Sequence, residues 1–208
     1  MPKKRAVVFL DYQNVYRRAR ACFHLDALSH PAGRQIHPVQ LAQRIVEKRL
    51  ERQLEGVRVY RGLPDSTKDP RGYAAARRQI TAWERDPKTS VFIRALRYPG
   101  AWPMDKPEEK GVDVALAVDF VVMAVRSEYD VGILVSNDTD LLPALEGVLA
   151  LDDRSADPEI ASWQPDSGYG HRLRISGVGV WCNWLTRSDY EAVADPRDYN
   201  VVTRATGK

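Results

Sequence analysis

Ala6-Val7-Val8-Phe9-Leu10-Asp11 is a continuous apolar run of β-branched and large residues stopped by a carboxylate. It has no polar alternate positions to turn toward water, so it reads as a strand buried on both faces, as in the middle of a parallel sheet. Val131-Gly132-Ile133-Leu134-Val135 repeats the pattern and ends in Ser136-Asn137-Asp138-Thr139-Asp140. From Asp140 to Leu149 the apolar spacing becomes helical, with Pro143 tolerable in the first turn.

Between these two strands, apolar positions from Val39 to Leu54 recur at helical spacing and predict a helix stopped near Gly56. A strand is expected over Val57–Tyr60, then a turn-rich loop from Gly62 to Gly72 and a helix from Tyr73 to Arg85. Val91–Leu96 reads as a strand, Pro99–Pro103 as a break, and Val112–Arg126 as a helix. Strands that alternate with helices predict a three-layer α/β fold, a mostly parallel central sheet flanked by helices. Its functional residues are expected at the carboxyl ends of the strands. Residues 152–170 are rich in Asp, Ser, Pro and Gly without periodicity and are expected to form an exposed insertion. Arg172–Trp181 reads as a last strand or hairpin, and the polar tail over 195–208 as loosely held.

A chain of 208 residues suits one domain over 1–208. Its 44% apolar and 28% charged residues exclude fibrous and fully disordered classes. No apolar run approaches the roughly 18 residues of a membrane span, and the N-terminal run is too short for a secretory leader, so no membrane association and a cytoplasmic address are expected. Cys22 and Cys182 show no metal-ligand spacing and read as buried, reduced side chains. A formal charge of +3 is only mildly basic, yet Arg17-Arg18-Ala19-Arg20, Arg71 with Arg77-Arg78, and Arg94 with Arg97 are local basic clusters. A solvated helix face explains any one of them equally well.

The acidic residues have a more informative pattern. Asp138 and Asp140 sit where a strand passes into a helix, a position that favours negative charge through free N–H groups and the helix dipole. Capping needs one carboxylate, whereas this turn offers two, together with Ser136 and Thr139. Asp11 ends a buried strand and is therefore desolvated, which calls for a cation or strong donors. Asn14 stands in the same turn. Lys110-Gly111-Val112-Asp113 opens a helix with a third carboxylate. Carboxylates gathered at one sheet edge repel one another, and a divalent cation relieves that repulsion. Hard oxygen ligands favour Mg²⁺ or Mn²⁺ over zinc. Such a site suits in-line displacement at a phosphodiester, with no covalent nucleophile.

The segments Val7–Asn14, Lys110–Asp119 and Val135–Pro143 resemble, in the same order, the motifs of the NYN domains, a branch of the PIN-like nucleases. The resemblance spans roughly residues 6–150. It implies a PIN-like (NYN) fold, a divalent-metal site and endonucleolytic cleavage of RNA, single-stranded or in structured loops. By motif, Asp11, Asp113 and Asp138 are the implied metal-binding and catalytic acids, with Asp140 assisting and Asn14, Ser136 and Thr139 supporting. Tyr12 and Asn137 depart from the pattern, standing where the family often has glycine. Asp119 matches too, but lies about 240° around the helix from Asp113, so it is left out of the set.

Arg17, Arg18, Lys68, Arg71 and Lys110 are candidate phosphate contacts, and Trp102, in its proline-flanked loop, is the candidate base-stacking ring. Trp83, Trp181 and Trp184 read as core or partner contacts. Two other readings stay open. One is a non-catalytic RNA-binding or adaptor protein with a protein partner at 152–170, against which the intact carboxylates argue. The other is a phosphatase of the haloacid-dehalogenase kind, which would want Asp at position 13, where this chain has Gln13. A homo-oligomer remains compatible with either.

Overall fold

The computed structural model describes residues 2–24, 35–151 and 156–201. In chain order the elements are Lys4–Asp11 (β1), Tyr12–Cys22 (α1), Gln35–Ile36 (β2), Pro38–Glu47 (α2), Arg52–Leu63 (β3), Pro70–Trp83 (α3) and Thr89–Ala95 (β4). They continue with Val112–Val125 (α4), Val131–Val135 (β5), Leu142–Leu149 (α5), Asp157–Trp163 (β6), Cys182–Leu185 (β7), Arg187–Val193 (α6) and Ala194–Asp195 (β8).

Six parallel strands form one sheet in the order β4-β3-β1-β5-β6-β7, and β2 pairs antiparallel with β8. The α/β expectation holds. β1 is buried on both faces because its alternate residues enter two different cores. Ala6, Val8 and Leu10 pack with side chains of α1, α2, α3 and α6, whereas Val7 and Phe9 pack with α4 and α5. The chain moves from β1 outward through β3 to β4, then resumes on the other side of β1 with β5. The carboxyl ends of β1 and β5 therefore flank the point where strand order reverses, where an open α/β sheet leaves a crevice for ligands.

Several expectations need correction. The exposed insertion expected over 152–170 is exposed only in part: Asp166–Tyr169 are exposed, whereas Asp157–Trp163 is a strand inside the sheet, buried from Pro158 onward. Its polar side chains hid it, and each has an internal partner. Glu159 meets Arg52 and Asn183, and Ser162 donates to Asn137 Oδ1 (3.0 Å). Residues 152–155 lie outside the described ones. The helix expected to Leu54 ends at Glu47, because Leu50, which kept the period, is an 85% exposed turn residue and β3 begins at Arg52. Over Arg172–Trp181 the hairpin alternative survives only as a tight turn closed by one antiparallel bridge, Ile175 with Val178, and the strand begins at Cys182.

The tail expected to be loose is anchored at two points, Asp195 and Tyr199, while Pro196–Asp198, Asn200 and Val201 are exposed. Asp195 is buried in β8 and accepts from Tyr199 Oη, while the Tyr199 carbonyl accepts from Arg78 Nε (2.8 Å). Residues 202–208 lie outside the described ones. Cys182 is buried and Cys22 half-buried, both as free thiols. No helix among the described residues is long and apolar enough to cross a membrane.

Candidate active site

Register brings the first two carboxylates together. Leu10 pairs with Val135, so the next residues along, Asp11 and Ser136, leave their strands side by side. Asp11 is 4% exposed and caps α1, accepting from Asn14 N (3.3 Å) and from Ser136 Oγ (2.8 Å). Ser136 Oγ accepts in turn from Asp138 N (3.1 Å), and Asn14 Oδ1 accepts from Asn137 N (3.1 Å). These bonds lock the two strand ends into one turn. Asp138 caps a short 3-10 turn over Thr139–Leu141, accepting from Asp140 N (3.0 Å). Asp113 enters from the first turn of α4.

Asp11, Asp113 and Asp138 each present an oxygen, and the three oxygens lie within 4.8 Å of one another. Asp140 and Thr139 are exposed and stand outside that triad. The electrostatics reflect the crowding. The Asp11 carboxyl is held at about 7: burial raises it most, Ser136 and Asn14 oppose that, and Asp113 and Glu109 add to it. Asp113 is raised by burial first, then by Asp138 and Asp140. Oxygen donors at this spacing, carrying excess negative charge, fit a hard divalent cation.

The triad opens into a cleft of about 680 Å³ whose other walls include Arg17, Arg18, Lys106 and Glu109. Arg17, Arg18 and Lys106 form no ion pair among the described residues. Of the proposed RNA contacts, then, Arg17 and Arg18 face the cleft. Lys68, Arg71, Lys110 and Trp102 do not line it: Lys68 lies over the Tyr98 ring (5.0 Å), and Trp102 meets the same ring edge-on (4.9 Å). Asp119 is engaged elsewhere, accepting from Tyr60 Oη (2.7 Å) and pairing with Arg58 (3.3 Å). Trp83 is core, Trp184 packs against the second core, and Trp181 is 57% exposed.

Glu109 is the residue that sequence reasoning missed. Its carboxylate accepts from Gly62 N and, with the Gln13 amide turned to satisfy both neighbours, from Gln13 (3.0 Å), whose oxygen accepts from Arg17 (3.1 Å). A Cβ on Gly62 would lie 2.7 Å from Glu109 Oε1 and 2.2 Å from Leu96, so only glycine permits this approach. Burial raises the Glu109 pKa first, and the Gly62 N–H opposes it.

The NYN domain model matches residues 5–152. The chain belongs to the NYN domain family. All three converging carboxylates lie within the NYN match, as do Glu109 and the cleft cations. The match stops short of β6, so the NYN region supplies four of the six sheet strands. Comparison with the curated proteins found no match. Among solved structures, a protein of unknown function from Vibrio parahaemolyticus is similar, at 18% identity over 76% of this chain and 81% of that one, with a TM-score of 0.48.

Proposed function

We propose that this NYN domain is a divalent-metal-dependent endoribonuclease. The observation that supports the reading best is the meeting of Asp11, Asp113 and Asp138 at the reversal point of the sheet, beside cations that form no ion pair among the described residues. Mg²⁺ or Mn²⁺, when bound, lowers the pKa of an attacking water and offsets charge on the phosphodiester. Asp11, Asp113 and Asp138 hold the cation, while Ser136 and Asn14 fix the orientation of Asp11. Arg17 and Arg18 hold phosphates flanking the scissile one, a role that positions RNA without reading its sequence. Glu109 acts through Gln13 to keep Arg17 over the cleft. Asp140 lies two residues beyond Asp138 in the capped turn and assists from outside the triad.

The test is incubation of purified protein with total cellular RNA and Mn²⁺ or Mg²⁺, beside Asp138→Asn and an EDTA control. Cleavage should fall by about 100-fold or more in the variant, at least the loss typical of a disturbed metal site, and vanish with EDTA. Equal fragmentation in all three samples would exclude this site as its source. RNA bound but uncut would favour a non-catalytic binding protein on the same fold.

A further inference from the structure

Beside the carboxylate cleft lies a second cavity, of about 290 Å³, with a different character. Arg18 lines both. Asn137, which precedes Asp138, forms the inner wall, and the rest includes Cys22, Trp163, Tyr169 and His171. Among the described residues no carboxylate lines it, so an anionic strand is not repelled there. Trp163, Tyr169 and His171 lie beyond residue 152, where the NYN match ends.

Tyr169 is 96% exposed, a ring left in water at the edge of this cavity. The backbone on either side is built to present it. Gly168 before it has φ 86°, which few other residues adopt, and a Cβ on Gly170 after it would fall 2.5 Å from the Trp184 ring. The loop is tied to the active-site turn through the His171 carbonyl, which accepts from Asn137 Nδ2 (2.6 Å) and from Ser162 Oγ.

We propose that this cavity holds an unpaired nucleobase of the RNA strand, next to the phosphodiester over the carboxylates and stacked on Tyr169. The inference rests on the nuclease reading for the path of the strand. Bases splayed from single strands stack on aromatic side chains, and every base has a π-face to offer. Arg18, shared between the two cavities, sits where the connecting phosphate passes. The Asn137 nitrogen donates to the His171 carbonyl, and its oxygen shares the single Ser162 hydroxyl proton with that carbonyl. Recognition is therefore by stacking and fit, and selects unpaired over paired nucleotides more than one base over another.

The test uses a labelled single-stranded oligoribonucleotide and the full chain in an Asp138→Asn background, which keeps the RNA whole, with binding read by fluorescence anisotropy. Tyr169→Leu should weaken binding about tenfold, the scale of one lost base–aromatic stack, while Tyr169→Phe should bind normally. Scanning a single abasic nucleotide along the oligomer should find one position with the same penalty, and that penalty should vanish in Tyr169→Leu. Unchanged binding by Tyr169→Leu, or an abasic penalty that persists in it, would overturn the proposal. Failure of the nuclease reading looks different: wild-type protein leaves the RNA uncut with Mn²⁺ or Mg²⁺ while the Tyr169 effect on binding remains. Absence of RNA binding altogether would overturn both.

Discussion

Asp11 is held at odds with its own charge. Burial raises its pKa, the donors Ser136 and Asn14 offset only part of that, Asp113 and Glu109 add to it, and the net value is about 7. Without a cation, the folded protein therefore keeps a proton on Asp11 that the unfolded chain releases near the ordinary value of 3.8. The native state then binds more protons than the unfolded one between about pH 4 and 7, so this group's contribution to stability falls as pH rises through that window. Asp11→Asn should abolish cleavage yet, in EDTA, exceed wild type in stability by about 4 kcal/mol at pH 8, with little advantage at pH 4. Urea unfolding at the two pH values checks this, and an equal gap at both would contradict it. Asp11, Asp113 and Asp138 were legible in the sequence because each ends a strand or opens a helix, where a carboxylate stands out against apolar neighbours. Glu109 was not, since in Lys106-Pro107-Glu108-Glu109-Lys110 it is one charge among several, and only the close approach of Gly62 singles it out.

At the scale of elements, the strands whose burial rests on apolar residues were readable and those built on paired polar groups were not. β1 and β5 announce themselves, and β5 has the expected bounds. α1 went unassigned because only Tyr12, Val15 and Ala19 of its eleven residues are buried, and its arginines read as a charge run. α6 is short and held by its cap. Thr186 and Asp189 form a capping box, and Asp189 also pairs with Arg44 (2.7 Å) and Lys48 (2.8 Å) on and just beyond α2. Burial pushes the Asp189 carboxyl up, but Lys48, the Thr186 N–H and Arg44 outweigh it and hold it at about 2. A depressed pKa gives stability that is present above the unfolded value and lost as pH falls through the folded one. Asp189→Asn should cost about 2 kcal/mol at pH 7, and the gap to wild type should close between about pH 4 and 2. A pH-independent gap in chemical denaturation would show that the charge is not what joins these helices.

The whole sheet raises the question of whether residues 5–152, the extent of the NYN match, stand alone. Removing residues 153–208 would strip β5 of its neighbour β6 and expose an unpaired strand edge. It would also take Trp163, Leu185, Tyr190 and Val193 from the core that contains Val8, Leu10 and Ile133. At about 2 kcal/mol for each large apolar side chain, the loss is about 8 kcal/mol, comparable with the about 5–15 kcal/mol that holds a typical domain together. Arg52, whose side chain is 2% exposed in the full chain, would also lose its carboxylate partner, Glu159 of β6. A chain ending at residue 152 should therefore show no cooperative thermal transition. The full chain should melt in one step, and Glu159→Gln should lower that transition by several degrees without splitting it, because the pair spans both halves of the sheet. If the shortened chain instead melted cooperatively, the NYN region would be a domain in its own right and β6, β7 and α6 an addition to it. The cleft carboxylates would then survive the cut, while the cavity beside them, which needs Trp163 and Tyr169, would be lost.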